Sequence, residues 1–202
     1  MSKEIVCADA LAWLSENAPG AIVTSPPDAE EIGADLPDWQ VWFAGALDAC
    51  FAASRGPVVF YVTDRKGGGR LRSKAALVHA AAGRAGVDPA WHKVALRRDV
   101  GATDLHRPTF THLIAFGASP GVASPDVIRR GRVLYPNGTG LIAARVAVAW
   151  AGRAMVDGPL ADPFCGRGTI PAVADAMGFD AVGVDLDPDQ CRHAEALHLR
   201  QK

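Results

Sequence analysis

Two stretches of this chain hold residue types that chemistry needs, at spacings that packing alone does not demand. Near the C-terminus, residues 160–170 read LADPFCGRGTI and residues 181–188 read AVGVDLDP. A strand-like run ends in Asp162-Pro163-Phe164, turns through Cys165, Gly166 and Gly168, and enters a helix near Thr169. The next strand-like run ends in Asp185-Leu186, with seventeen residues from Gly168 to Asp185. Glycines let a backbone approach a ligand closely, and a helix N-terminus offers N–H groups to an anion. An acid ending the following strand can accept from both hydroxyls of a ribose. The G-x-G-T order departs from the G-x-G-x-x-G of nicotinamide-dinucleotide sites, which argues against a dehydrogenase.

The second stretch lies near the N-terminus, where the apolar run 21–23 stops at Thr24-Ser25-Pro26-Pro27-Asp28. Prolines end a strand because they donate nothing to its ladder. A plain turn would need no more than that. The hydroxyl before the prolines and the acid after them are what ask for a function.

Strand-like and helix-like runs alternate around these two stretches. EIVC, AIVTS, PVVFYVTD, WHKVALRR, FTHLIAFGA, GPLADPF and DAVGVDLD read as strands, the fourth and fifth pairing antiparallel. ALAWLSENA, DWQVWFAGALDACFAAS with Asp38 as N-cap, RLRSKAALVHAAAGRAG closed by Gly86, LIAARVAVAWAGRAM, TIPAVADAMG and a last helix running to Arg200 lie between them. Residues 119–140, rich in Pro and Gly, read as one long loop. The expectation is an α/β domain over 1–202 with a mostly parallel, seven-stranded sheet covered by helices on both faces.

Composition narrows the class further. The chain has 202 residues, 49% of them hydrophobic, which suits one buried core. No apolar run approaches the ~18 residues of a membrane span, and MSKEIVCADA lacks the apolar centre of a secretory signal. Four cysteines show neither a C-x-x-C pair nor zinc spacing. The expectation is a reduced, cytoplasmic protein. Residues 60–135 carry thirteen Lys and Arg against five Asp and Glu, whereas the remainder carries eight against seventeen. A basic middle on an acidic frame suits a polyanion or, more plainly, a solvated arginine surface.

The unit DPFCGRGT followed by GVDLD closely resembles the cofactor site of permuted, beta-type S-adenosylmethionine-dependent amino-methyltransferases of nucleic acid bases. TSPP resembles the Ser/Asp/Asn-Pro-Pro-aromatic motif of the same family, CADALAWL its G-D-A segment, and LYPNGTGLIAARV the segment that leads into the helix before its cofactor loop. The resemblance spans about half the chain, at both ends, and implies a circularly permuted Rossmann-like methyltransferase fold. It implies S-adenosyl-L-methionine bound by Asp9, Ala10, Thr24, Asn137, Thr139, Asp162, Pro163, Phe164, Cys165, Gly166, Gly168, Thr169, Asp185 and Leu186. It implies too that the Asp9 strand lies beside the Asp185 strand and the Ser25 strand beside the Asp162 strand, with all four residues around one crevice.

On that resemblance the catalytic set is Ser25, Pro26, Pro27 and Asp28. The lone pair of an exocyclic amine is delocalised into its ring. Ser25 Oγ and the Pro26 carbonyl can accept the amine's hydrogens and aim that lone pair at a sulfonium methyl, by orientation and electrostatics and with no need of a metal. The family carries an aromatic residue where this chain has Asp28, and three accounts stay open. Another ring among Trp39, Trp42, Tyr61 and Trp91 supplies the stacking platform; Asp28 reads the N1–H and N2–H edge of guanine; or the substrate is a cationic or amino-bearing small molecule. Trp39 and Trp42, in a helical run, are assigned to the core. Asp64, Lys66, His92, Arg107 and Arg130 are the substrate-side candidates. A nucleic acid substrate follows, RNA slightly ahead of DNA because the chain shows no separate target-recognition region, with a homodimer or a recognition partner as further expectations. A small-molecule methyltransferase and a catalytically silent cofactor-binding subunit are the alternatives.

Overall fold

The computed structural model describes residues 2–67, 69–118, 121 and 124–199. In chain order the elements are β1 (Lys3–Cys7), α1 (Ala10–Glu16), β2 (Ala21–Thr24), α2 (Ala29–Ile32), α3 (Leu36–Ala53), β3 (Val58–Val62), β4 (Arg65–Gly67), β5 (Arg70–Arg72), α4 (Lys74–Ala85), β6 (Pro89–Leu96), β7 (Phe110–Phe116), β8 (Val127–Arg129), α5 (Leu141–Ala154), β9 (Leu160–Asp162), α6 (Thr169–Ala176), β10 (Ala181–Asp185) and α7 (Pro188–Ala196). Eight strands form one sheet in the order β1-β10-β9-β2-β3-β7-β6-β8, and β4 and β5 form a separate hairpin. Only β7 runs against the others among the described strands of that sheet.

β2 and β3 are buried at every position, and their continuous Val, Ile, Phe and Tyr content is what a two-sided parallel sheet selects. On one face Phe43, Leu47, Val78 and Phe116 pack with α3 and α4. On the other Val148, Leu160, Ile170 and Val173 pack with α5 and α6. The β2-to-β3 connection runs through α3 on the first face, and the β9-to-β10 connection through α6 on the second. β2 and β9 are neighbours, with Ala21 opposite Leu160 and Ile22 opposite Ala161. The crossovers therefore leave the sheet on opposite sides between these two strands. Such a switch point opens a crevice at the strands' carboxyl ends. At the far edge β1 pairs with β10, Cys7 opposite Asp185, so the chain's first and last strands are adjacent, as a permuted order requires.

Several local expectations differ from the structure. The sheet has an eighth strand, β8, because Val127, Ile128 and Arg129 of the Pro/Gly-rich segment pair in parallel with β6; Ser119, Pro120, Val122 and Ala123 of that segment lie outside the described residues. Helix α3 begins before Asp38. Its N-cap is Asp35, which accepts from the Asp38 amide at 3.0 Å, and Pro37 sits in the first turn, where no intrahelical N–H is needed. Arg70, Leu71 and Arg72 belong to β5, and α4 starts only after Ser73, whose Oγ accepts from the Ala76 amide at 3.2 Å. The last helix ends at Ala196, and Arg200 lies outside the described residues.

Candidate active site

A crevice of about 1010 Å³ opens at the switch point. One lip is the turn between β9 and α6. Gly166 and Gly168 have φ of +53° and +79°, a region that residues with a Cβ enter only at a cost. At Gly168 a Cβ would also lie 2.8 Å from that of Ala194, so α7 closes against the turn. The Asp185 carboxylate clamps this lip. Its Oδ2 accepts from the Gly166 amide at 2.8 Å and its Oδ1 from the Asp187 amide at 3.0 Å. Each carboxylate oxygen can accept a second hydrogen bond, so Asp185 keeps capacity for a diol in the crevice.

The other lip follows β2, and the two lips are bonded to each other. Thr24 Oγ1 donates to Asp162 Oδ1 at 2.6 Å across the buried boundary between β2 and β9. The Phe164 amide donates to the same oxygen at 3.2 Å. Oδ2 receives no hydrogen bond among the described residues. Burial pushes the Asp162 carboxyl up to about 7, opposed by the bonds from Thr24 and Phe164 and helped by the nearby Asp185 carboxylate. An Asp in that state accepts a cationic ligand by ionising.

Around these lips the crevice gathers Asp9, Ala10, Ser25, Pro27, Asn137, Thr139, Pro163, Phe164, Cys165, Thr169 and Leu186, all of them expected from the sequence. Asp9 caps α1 by accepting from the Ala12 amide at 2.9 Å. Leu186 is 70% exposed, an apolar surface offered beside Asp185. Asn137 is the only non-glycine with positive φ among the described residues, at +62°. It sits third in a β-turn closed by the Gly138 amide donating to the Tyr135 carbonyl at 3.1 Å. Thr24, Pro26 and Gly168, also expected there, are buried and are not among the residues that line the crevice. Cys165 is 4% exposed and burial pushes its thiol up, so it acts as a packing residue.

Several lining residues escaped the sequence reading. The Tyr135 hydroxyl accepts from Thr169 Oγ1 at 3.0 Å, joining the β8–α5 connection to the start of α6, and the Arg167 guanidinium lies 5.7 Å from the Tyr135 ring centre. The aromatic residue before Pro136-Asn137-Gly138 was the available signal. Trp42 packs against the core, as assigned, but is only half-buried. It lines the crevice and meets Phe164 edge-on at 5.7 Å. Trp39 is buried as expected, and its Nε1 donates to the Pro27 carbonyl at 3.0 Å, fixing the loop. Glu31 and Gln190 also line the crevice, and nothing in their sequence setting marked them.

At the loop itself, Ser25 faces the crevice, and among the described residues neither its hydroxyl nor the Pro26 carbonyl has a hydrogen-bond partner. Asp28 lies apart. It lines a second cavity of about 610 Å³ behind the loop, where Lys74 ion-pairs with its Oδ1, Arg65 Nη2 is 2.8 Å from its Oδ2 and Arg107 Nη2 is 3.8 Å away. Glu31 Oε2 accepts from the Asp28 amide at 2.7 Å at the start of α2. Lys74 is buried, and that burial pulls its ammonium below the ordinary value against the opposing pull of Asp28. The carboxylate is thus matched to this chain's own cations and does not line the crevice.

The substrate-side candidates separate. Arg107 and Arg130 converge on a third concavity that shares the 135–138 turn with the crevice. Lys66 lies in the cavity behind the loop, its Nζ donating to the Asp104 carbonyl at 3.1 Å. Asp64 and His92 line none of these spaces. Asp64 is buried, accepts from the Ala75 amide at 3.2 Å, and sits 3.4 Å from His112 Nε2; His92 meets His112 at 2.9 Å. They tie β3, β6, β7 and the start of α4 together, which is a structural task.

Solved structures share this fold. TTHA0409 of Thermus thermophilus, named as a DNA modification methylase, matches with a TM-score of 0.73 at 18% identity, covering 96% of this chain and 93% of that one; it has also been solved with S-adenosyl-L-methionine. The PvuII DNA methyltransferase, cytosine-N4-specific, matches with a TM-score of 0.77 at 13% identity, covering 96% of this chain and 86% of that one. An M1.HpyAVI–SAM complex matches with a TM-score of 0.64 at 13% identity, covering 96% and 97%. At these identities the likeness establishes the fold. No protein-family model and no curated protein matches the chain.

Proposed function

We propose that this chain is an S-adenosylmethionine-dependent N-methyltransferase acting on an exocyclic amino group of a nucleic acid base. One observation carries the reading: the bond from Thr24 to Asp162 puts a glycine-cradled cofactor lip and a Ser-Pro-Pro acceptor lip on the same crevice.

The residues fit the cofactor. Asp185 retains acceptor capacity for a ribose diol, Leu186 and Ala10 offer apolar surface for an adenine face, and Asp162 suits a cationic end. Solved neighbours of the fold hold the same cofactor. When bound, S-adenosylmethionine supplies an electrophilic methyl group on a sulfonium. Ser25 Oγ and the Pro26 carbonyl then accept the two amine hydrogens, turning the nitrogen lone pair toward that methyl. The prolines hold the carbonyl direction, and Trp39 holds the Pro27 carbonyl. The methylated nitrogen carries a surplus, strongly acidic proton that passes to water. Trp42, beside Phe164, is the ring placed to face an extruded base, in place of the aromatic that the family has at the Asp28 position.

Chain length gives no preference for RNA. This chain covers 93% and 86% of chains named for DNA, so DNA stands level with RNA. Labelled-methyl transfer to total DNA, total RNA and a metabolite extract tests the proposal. Label in a nucleic acid pool, lost in Ser25→Ala, supports it. Label confined to metabolites gives the small-molecule reading, and cofactor binding without transfer gives the silent subunit.

A further inference from the structure

Across the 135–138 turn from the crevice lies a concavity of about 510 Å³ whose chemistry the proposed methyl transfer does not use. Arg97 and Arg107 lie at the two ends of the β6–β7 connection and Arg130 follows β8, so two separate segments bring three arginines to one concavity. Tyr61, Thr63 and Thr111 add hydroxyls, the two threonine oxygens 2.8 Å apart. Among the described residues Arg97 and Arg130 have no carboxylate within 4.0 Å, and the nearest to Arg107 is Asp28 at 3.8 Å. Arg97 is part-buried and donates only to the Pro108 carbonyl, at 3.3 Å. Burial, then Arg130 and Arg107, hold its guanidinium below the ordinary value.

Arg107 reaches only Asp28, a carboxylate already shared with Lys74 and Arg65, and Arg97 and Arg130 form no ion pair among the described residues, so the three cations outnumber the negative charge beside them. Guanidinium forks match the oxygens of a phosphate bidentately, and the Tyr61 hydroxyl and the one threonine proton not used between Thr63 and Thr111 supply further donors. The chain neutralises Asp28 with Lys74 and Arg65, yet leaves this cluster open. A surface that needed only solubility would not draw Arg97 out of water.

We propose that Arg97, Arg107 and Arg130 form a phosphate subsite that grips the sugar–phosphate backbone of the substrate next to the base held at Ser25 and Pro26. The identity of the substrate rests on the methyltransferase reading; the phosphate site rests on the geometry alone. A base extruded toward the crevice drags its own phosphates with it, and the subsite shares the 135–138 turn with that crevice.

The test is salt-dependent binding of a single-stranded DNA and an RNA oligonucleotide, with a nucleoside 5′-monophosphate as a third arm. The variants are Arg97→Gln and Arg130→Gln, with Arg98→Gln, outside the concavity, as the equal-charge control. Each concavity variant should weaken oligonucleotide binding about tenfold and lower the slope of log K against log salt by about 0.7 for each phosphate no longer neutralised. The control should change neither. Melting temperature and calorimetric S-adenosylmethionine affinity should stay at wild-type values in all three. Unchanged oligonucleotide affinity and slope in folded, cofactor-binding variants would overturn the subsite. Arginine-dependent binding of the monophosphate alone would overturn the backbone assignment. Arginine-dependent oligonucleotide binding by a protein that ignores S-adenosylmethionine would uphold the subsite and remove the methyltransferase reading.

Discussion

On one lip of the crevice, Gly166 and Asp187 give their amide hydrogens to Asp185 at 2.8 and 3.0 Å, within a turn and the strand beside it. Behind the other, Asp28 is fixed by Lys74, Arg65 and Arg107, residues that follow it by more than thirty-five positions. The first lip is held by short bonds from two backbone amides to one carboxylate, at a turn where Gly166 and Gly168 take positive φ. The second is held by long side chains whose charges must balance. The side proposed for the cofactor is therefore held by local bonds, and the loop proposed as the acceptor depends on an ion cluster between remote side chains.

Breaking that cluster has the largest expected effect. Removing one partner from a mostly buried ion pair leaves the other uncompensated and costs about 3–5 kcal/mol. Asp28→Asn and Lys74→Met should each lower the thermal midpoint sharply, while Asp28→Leu with Lys74→Met should recover much of the loss. Calorimetric cofactor affinity should move little. Should Asp28→Asn keep its melting temperature and lose substrate affinity instead, the carboxylate reads substrate and the contrast between the lips disappears.

Ser25→Ala comes next. Losing one acceptor aimed at the reacting amine should lower turnover by about 10²-fold with cofactor affinity intact. Steady-state transfer beside calorimetry checks it, and an equal loss in both would make Ser25 a cofactor ligand.

Asp162 sharpens the cofactor side through pH. Its folded carboxyl titrates at about 7, above the ordinary 3.8. Between those values the folded state holds more protons than the unfolded one, so the ligand-free protein loses stability as pH rises through that window. A cationic ligand favours the ionised form. Cofactor affinity should then rise about tenfold per pH unit toward 7 and level off above it, with proton release on binding. Asp162→Asn should flatten the profile. A flat wild-type profile would remove Asp162 from the cofactor side. The smallest effect is at the start of α3, where Asp35→Ala should cost about 1 kcal/mol of stability and Asp38→Ala much less.

The same contrast explains what could be read from the chain. DPFCGRGT and GVDLD are local. Glycines requiring positive φ, a strand end and a helix start lie within a few residues, so their arrangement follows from their order. The alternation of strands and helices implied a parallel sheet, while the adjacency of β2 with β9 and of β1 with β10 was expected only from the family resemblance. The ion partners of Asp28 could not be read from the sequence because they are remote and its neighbours give no sign of them. That Trp42 meets the crevice as well as the core was not legible, because a helical run alone does not say which side of α3 faces it. Tyr135 lay hidden in a segment without periodicity, and β8 is too short to signal itself. Asp64 and His92 are polar and near strand ends, which is also where structural hydrogen bonds gather.

The central claim is that one crevice holds a methyl donor against the ledge of Ser25 and Pro26. A crystal structure with S-adenosylhomocysteine tests it most directly. The account predicts the ribose hydroxyls on Asp185 and the sulfur facing that ledge. A ligand seated elsewhere, or one whose sulfur points away from Ser25, would contradict it.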